Sequence, residues 1–165
     1  MKVGLRLAIA ASLCWVLAAH ALSYEGLVVK VKDGDTVTLL DSDKRSHEVR
    51  LAGIDAPEKK QAFGQRSKQS LSDLAYMQKA TVDFDKKDRY GREVGKILVN
   101  ERDVNLEQIK RGMAWVYRQY QRELSKEDRV LYDHAEGEAK LSVRGLWADA
   151  APTPPWDFRQ AQKSD

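Results

Sequence analysis

Cysteine is almost missing from this chain: Cys14 is the single one in 165 residues. It falls inside an N-terminal segment read below as a removable leader, so the rest of the protein has neither a disulfide nor thiol chemistry. Histidine is nearly as scarce, and only His47 and His134 lie beyond that leader. Two histidines without ligand spacing exclude the usual zinc or histidine-based hydrolase. Proline occurs at Pro57 and otherwise only in the C-terminal tail. Long apolar runs are missing too. The stretch from Leu7 to Ala19 holds about thirteen residues, too few to span a bilayer. Nor does charge of one sign dominate, since 28 Lys and Arg stand against 25 Asp and Glu. No internal repeat and no twelve-residue EF-hand loop occur, which excludes a calcium-sensor module.

What is there begins with a leader. Lys2 and Arg6 precede the apolar run, Ala19-His20-Ala21 has the small-x-small form of a cleavage site, and no acidic residue occurs before Glu25. This is the pattern of a signal peptide over residues 1–21, which implies a secreted or periplasmic protein without stable membrane association after cleavage. Leu13 is too bulky for a lipid-attachment site at Cys14. Losing Lys2 and Arg6 lowers the formal charge from +3 to +1. A protein so nearly neutral would bind nucleic acid through a local patch and a metal, not through a global field.

The remainder divides into a domain over residues 22–149 and a proline-rich tail over 150–165. Leu27–Val31, Thr36–Leu40 and His47–Gly53 read as strands, with Asp33-Gly34 as a turn signal and His47 facing solvent. Gln61–Lys79 reads as an amphipathic helix. Ala80–Phe84 and Val94–Val99 are two further strands. A second helix is expected from an N-cap at Asn105, with Gln108 three residues on and Gly112 as the stop. A third runs from a capping box at Ser125 to about Leu141. The tail reads as a mobile terminus in which Trp156 packs back on the domain. The order of elements predicts an α+β fold; it suits a small barrel of oligonucleotide-binding type and is compatible with other α+β folds.

Three segments carry the chemistry: Asp33-Gly34-Asp35-Thr36, then Arg50 through Glu58, then Asp88-Arg89-Tyr90-Gly91-Arg92. Each has an ordinary reading, as a hairpin turn, a strand-to-helix connection and a surface turn. Together they supply acidic oxygens for a hard cation, one more carboxylate and two arginines. Hydrolysis of a phosphodiester needs that inventory: a polarising ion, a base for water, and guanidinium groups for the transition-state charge. Pro57 biases Ala56 towards an extended backbone, which keeps the Ala56 carbonyl out of a helix and free to act as a ligand.

In this order, with Gly112-Met113-Ala114 and Gly145-Leu146-Trp147 behind them, the segments resemble the staphylococcal nuclease (thermonuclease) family over about Val29 to Trp147. The resemblance implies a five-stranded oligonucleotide-binding (OB-fold) barrel with three α-helices and a calcium-dependent nuclease acting on DNA and RNA with little sequence preference, and a monomer is expected. Asp35, Asp55 and the Ala56 carbonyl match the calcium ligands, and Asp33 matches an acid acting through water. Glu58 takes the place of the general base, and Arg50 and Arg92 match the arginines on the scissile phosphate. Tyr90 and Tyr117 match groups that contact the nucleotide, although the spacing from Gly112 to Tyr117 is shorter than the family's. The family has threonine at Ala56, a change that a main-chain ligand survives. The alternative is a non-catalytic nucleic-acid-binding barrel, which would not need Arg50, Glu58 and Arg92 together.

Overall fold

In the strand Glu93–Val99 every odd-numbered residue is buried and every even-numbered one is half-exposed. That period of two turns one face to a core and the other outward. The computed structural model describes residues 22–164, so the expected signal peptide and Cys14 lie outside the described residues. In chain order it has β1 (Leu22–Val31), β2 (Thr36–Leu40), β3 (Ser46–Leu51), β4 (Ile54–Asp55), α1 (Gly64–Ala75), β5 (Lys79–Lys87) and β6 (Glu93–Val99). Then follow β7 (Arg102–Asp103), α2 (Val104–Lys110), β8 (Trp115–Val116), α3 (Lys126–Leu141) and α4 (Pro155–Ser164). Short 3-10 helices lie at Arg118–Glu123 and Gly145–Ala148.

The long strands close into a barrel. β2 pairs with β1 and β3, β1 with β5, and β5 with β6, all antiparallel. A parallel pairing of β3 with β6 completes the ring, with Val49 opposite Glu93 and Arg50 opposite Val94. This is the expected closed five-stranded barrel. Val28, Val37, Leu39, Val49, Val82 and Ile97 fill it, and Leu71 of α1, Ile109 of α2 and Tyr132 of α3 belong to the same core. Burial of each such side chain is worth roughly 1.5–3 kcal/mol.

Several elements differ from the sequence reading. β1 starts at Leu22, five residues early, because its first half pairs with β5 alone, from Leu22 opposite Phe84 to Gly26 opposite Ala80. α1 is shorter at both ends than Gln61–Lys79. Glu58 to Gln61 forms a turn, with Gln61 N donating to the Glu58 carbonyl, and Met77 already pairs with Val28 of β1. The N-cap of α2 is Asp103, whose carboxylate accepts from Leu106 N at 3.0 Å. Asn105 is buried inside the helix instead. His47 is not a free surface group: its ring lies 3.1 Å from both Asp41 and Glu93 and packs on Tyr24. Ser125 caps α3 as expected, accepting from Asp128 N at 2.9 Å.

The largest correction is at the C-terminus. Residues 155–164 form a fourth helix rather than a mobile tail. Pro155 supplies a fixed φ suited to a first helical turn. Trp156 does pack back, lying parallel to Tyr117 at 5.6 Å and edge-on to Trp115 at 5.9 Å.

Candidate active site

The three motifs meet where β3 and β6 pair. Asp33, Asp35, Arg50, Asp55, Ala56, Glu58, Tyr90, Arg92 and Tyr117 all line one cavity of about 640 Å³. Each is held there by a local device.

Asp35 sits in the β1–β2 turn. Gly34 makes that turn possible: a Cβ there would lie 1.9 Å from Ser67 Oγ on α1, so only glycine allows the approach. Gln108, fully buried, donates from Nε2 to the Gly34 carbonyl at 2.8 Å and to the Ser67 carbonyl at 3.1 Å. It therefore fixes the turn against α1, where the sequence reading gave it only a capping role. Asp35 Oδ1 accepts from Thr36 Oγ1 at 3.1 Å, and Oδ2 accepts from Ala56 N at 2.7 Å. That second bond ties the first motif to the second.

Asp55 is on β4, which pairs with β8 so that Asp55 stands opposite Trp115. Asn105 holds the preceding turn, donating from Nδ2 to the carbonyls of Ala52 at 3.0 Å and Gly95 at 3.1 Å. Its Oδ1 accepts from Ile97 N at 3.2 Å. One buried side chain thus stitches the β3–β4 turn to β6.

Arg50 lies between these acids. Its Nη1 donates to the carbonyls of Leu51 and Ile54, each at 2.9 Å. Its Nη2 donates to Asp55 Oδ1 at 2.9 Å and lies 3.1 Å from Asp35 Oδ2. The fork is therefore also a clamp on the turn that carries Asp55. Arg92 is held differently. Its Nε donates to Asp88 Oδ2 at 2.7 Å, and Asp88 Oδ1 accepts the backbone N–H groups of Tyr90 and Arg92. Burial alone would raise the Asp88 pKa, but these bonds from Arg92 and Tyr90 hold it below the usual value. Tyr90 is exposed, with the Arg92 and Arg89 guanidinium groups 5.4 and 4.8 Å from its ring centre. Tyr117 is covered on one face by Trp156 and meets the Tyr120 ring at 4.9 Å.

Acid is in excess at the floor. Burial and the neighbouring Asp35 charge push the Asp33 pKa up to about 6. Burial also raises Asp55, against the opposing pull of Arg159 and Arg50. Among the described residues no three His, Cys, Asp or Glu side chains are grouped closely enough to cage a metal. The oxygens that could serve instead are the buried carboxylates of Asp35 and Asp55 and the Ala56 carbonyl. Such a sparse set fits a hard, partly hydrated cation, whose charge would relieve the crowding that raises Asp33.

One site residue has no counterpart among the sequence candidates. Arg159 of α4 donates from Nη2 to Asp55 Oδ2 at 2.7 Å and from Nη1 to Glu58 Oε1 at 2.7 Å. Only the indole at Trp156, in an otherwise polar tail, hinted that this segment returns to the domain.

Residues 48–149 match the family described as staphylococcal nuclease homologue. The chain is 44% identical over 136 residues to a Haemophilus influenzae protein named uncharacterized endonuclease, covering 82% of this chain and 73% of that one. A Shigella flexneri protein named micrococcal nuclease is 36% identical over 167 residues, 95% of this chain and 93% of its own. Protein ParB of Escherichia coli is 38% identical over 165 residues, 94% and 90% of the two chains. With the barrel, the acidic floor and the paired arginines already in place, these matches identify the chain as a member of the staphylococcal nuclease family, a nuclease of the hydrolase class.

Proposed function

We propose that this protein is a secreted, calcium-dependent nuclease that hydrolyses phosphodiester bonds in DNA and RNA with little sequence preference. The observation that carries the reading is the convergence of Glu58, Arg50, Arg92 and the Asp35–Asp55 floor on a single cavity. All of these groups come from one chain, which suits a monomer. The N-terminal sequence supports export.

Asp35, Asp55 and the Ala56 carbonyl would hold the ion, which supplies Lewis acidity toward a phosphoryl oxygen. Calcium suits so open an oxygen set better than magnesium, which demands a strict octahedron. Glu58, on the cavity wall, takes a proton from water as the new O–P bond forms opposite the leaving oxygen. The leaving alkoxide then gains a proton, so one water is added across the broken bond. Arg50 and Arg92 offer N–H groups to the phosphate oxygens as their charge rises. The attacking group is water rather than a ribose 2′-hydroxyl, so DNA and RNA are both substrates. Contacts made to phosphate carry little sequence information.

The test is cleavage of a single-stranded DNA by the purified protein with calcium, with magnesium alone and with excess chelator. Activity in calcium only is expected. Full activity in chelator would remove the metal from the reading.

A further inference from the structure

Arg159 bridges the two acids that the proposed reaction needs unencumbered. Its Nη2 reaches Asp55 Oδ2 at 2.7 Å, and its Nη1 reaches Glu58 Oε1 at 2.7 Å and Asp55 Oδ1 at 3.3 Å. Both oxygens of one candidate metal ligand, and one oxygen of the candidate base, thus face a single guanidinium. A loose terminus would not sustain this. Trp156, one helical turn earlier, is stacked on Tyr117 with the ring planes 2° apart. Pro155 is buried, and Gln61 Nε2 donates to the Thr153 carbonyl at 2.6 Å. These anchors fix α4 while the Arg159 side chain extends beyond them into the cavity.

A divalent ion and a guanidinium compete for Asp55. Arg50 is a poor candidate to yield, because its Nη1 also clamps the Leu51 and Ile54 carbonyls and its side chain is only 13% exposed. Arg159 is 37% exposed, and its partners here are the two acids themselves. It is the group that leaves at least cost. Once released from Asp55 it remains tethered at the cavity, a cation with a planar fork suited to phosphate.

We propose that Arg159 is a third arginine of the active site: an internal counter-cation that yields Asp55 to the metal ion and then takes a phosphate of the nucleic acid. The proposal rests on the reading of Asp55 as a metal ligand. It implies that metal alone binds weakly, because Arg159 must first be displaced. It also implies that nucleic acid strengthens metal binding, because phosphate gives the displaced guanidinium a new partner. By linkage the strengthening is reciprocal.

Calorimetric titration of the purified protein with calcium chloride, then with a phosphorothioate single-stranded octanucleotide in saturating calcium, tests this. Arg159→Gln should bind calcium alone about tenfold more tightly than the wild type, about the worth of one charge-assisted bond to buried Asp55 that no longer has to be broken. It should bind the octanucleotide about tenfold more weakly. Arg159→Lys keeps the charge without the fork and should fall between the two for both ligands. Calcium affinity in Arg159→Gln equal to or weaker than wild type would overturn the proposal, as would unchanged octanucleotide affinity. Asp55→Asn separates the two readings. Wild-type calcium affinity in that variant would mean that Asp55 is no ligand, and would overturn the metal reading together with the role given to Arg159.

Discussion

Replacing Glu58 with glutamine would separate the proposed base from the scaffold, because the two roles fall on different atoms. The turn is held by the main chain: Glu58 N donates to Gln61 Oε1 at 3.0 Å, and the Glu58 carbonyl accepts from Gln61 N at 2.8 Å. Glutamine leaves both bonds intact and keeps an oxygen facing Arg159. What is lost is one ion pair between side chains 40% and 37% exposed. A pair so open to water is worth at most about 1 kcal/mol, a shift in Tm of no more than about 4 °C for a domain of this size. The chemical cost is much larger. Removing a general base lowers turnover by about two to four powers of ten, or about 3–5 kcal/mol of barrier. The assay is the initial rate of single-stranded DNA cleavage in saturating calcium, beside a thermal melt of the same preparation. A variant that melts normally and cleaves within about threefold of wild type would show that Glu58 is a bystander.

Other outcomes follow from the same geometry. Arg92→Lys should lower turnover by about a hundredfold with the fold retained, since Arg92 lies on a turn; a rate near wild type would refute the bidentate role. Arg50→Lys should lower both rate and stability, by about 2 kcal/mol in a urea titration, because the clamp on the Leu51 and Ile54 carbonyls is lost as well. Asn105→Ala takes the partner from the Ala52 carbonyl and Ile97 N and one of two donors from the Gly95 carbonyl, so about 1–3 kcal/mol of stability should go, again read by urea titration. At His47 burial pulls the pKa down, but the bonds to Glu93 and Asp41 outweigh it and the net shift is upward from 6.5. A raised histidine pKa contributes stability that is complete below the unfolded value and is lost as pH rises through the folded value. The urea-midpoint margin of wild type over His47→Gln should therefore be larger at pH 6 than at pH 9. The ring faces Asp41, Glu93 and Tyr24, with Lys87 3.6 Å from the same Glu93 oxygen.

Legibility followed the range of the interactions. The hairpin at Asp33-Gly34, the capping box at Ser125 and the strand over Val94–Val99 rest on local patterns, and each is readable. Asn105 and Asp103 both belong to the set of good capping residues. The choice between them rests on carbonyls at Ala52 and Gly95, which no helix-capping rule includes. The early start of β1 was hidden because its first half gains its partner only from β5, about sixty residues away. Arg159 lies 104 positions from Asp55, and no spacing rule joins them. A proline-rich polar tail ordinarily signals mobility. Trp156 overrides that signal through stacking partners at Tyr117 and Trp115 that exist only once the domain has folded.

Barrel closure also sets the position of the two proposed phosphate-binding arginines. Arg50 and Arg92 are far apart in sequence, and their convergence depends on the parallel register of β3 and β6. Arg50 stands opposite Val94, so Arg92, two residues earlier, falls on the same face. The hairpin bond from Asp88 N to the Arg92 carbonyl, at 2.8 Å, extends the ladder far enough to hold that parity. Val49, Leu51, Gly95 and Ile97 occupy the opposite parity and are buried. A slip of one residue would turn Arg92 toward the core and bring Glu93 outward, away from Tyr24 and His47. The buried alternation therefore does more than close the barrel. By fixing which residues cannot face outward, it sets which arginines must face the cavity, and apolar packing on one side of two strands becomes the positional control for the proposed phosphate-binding pair on the other.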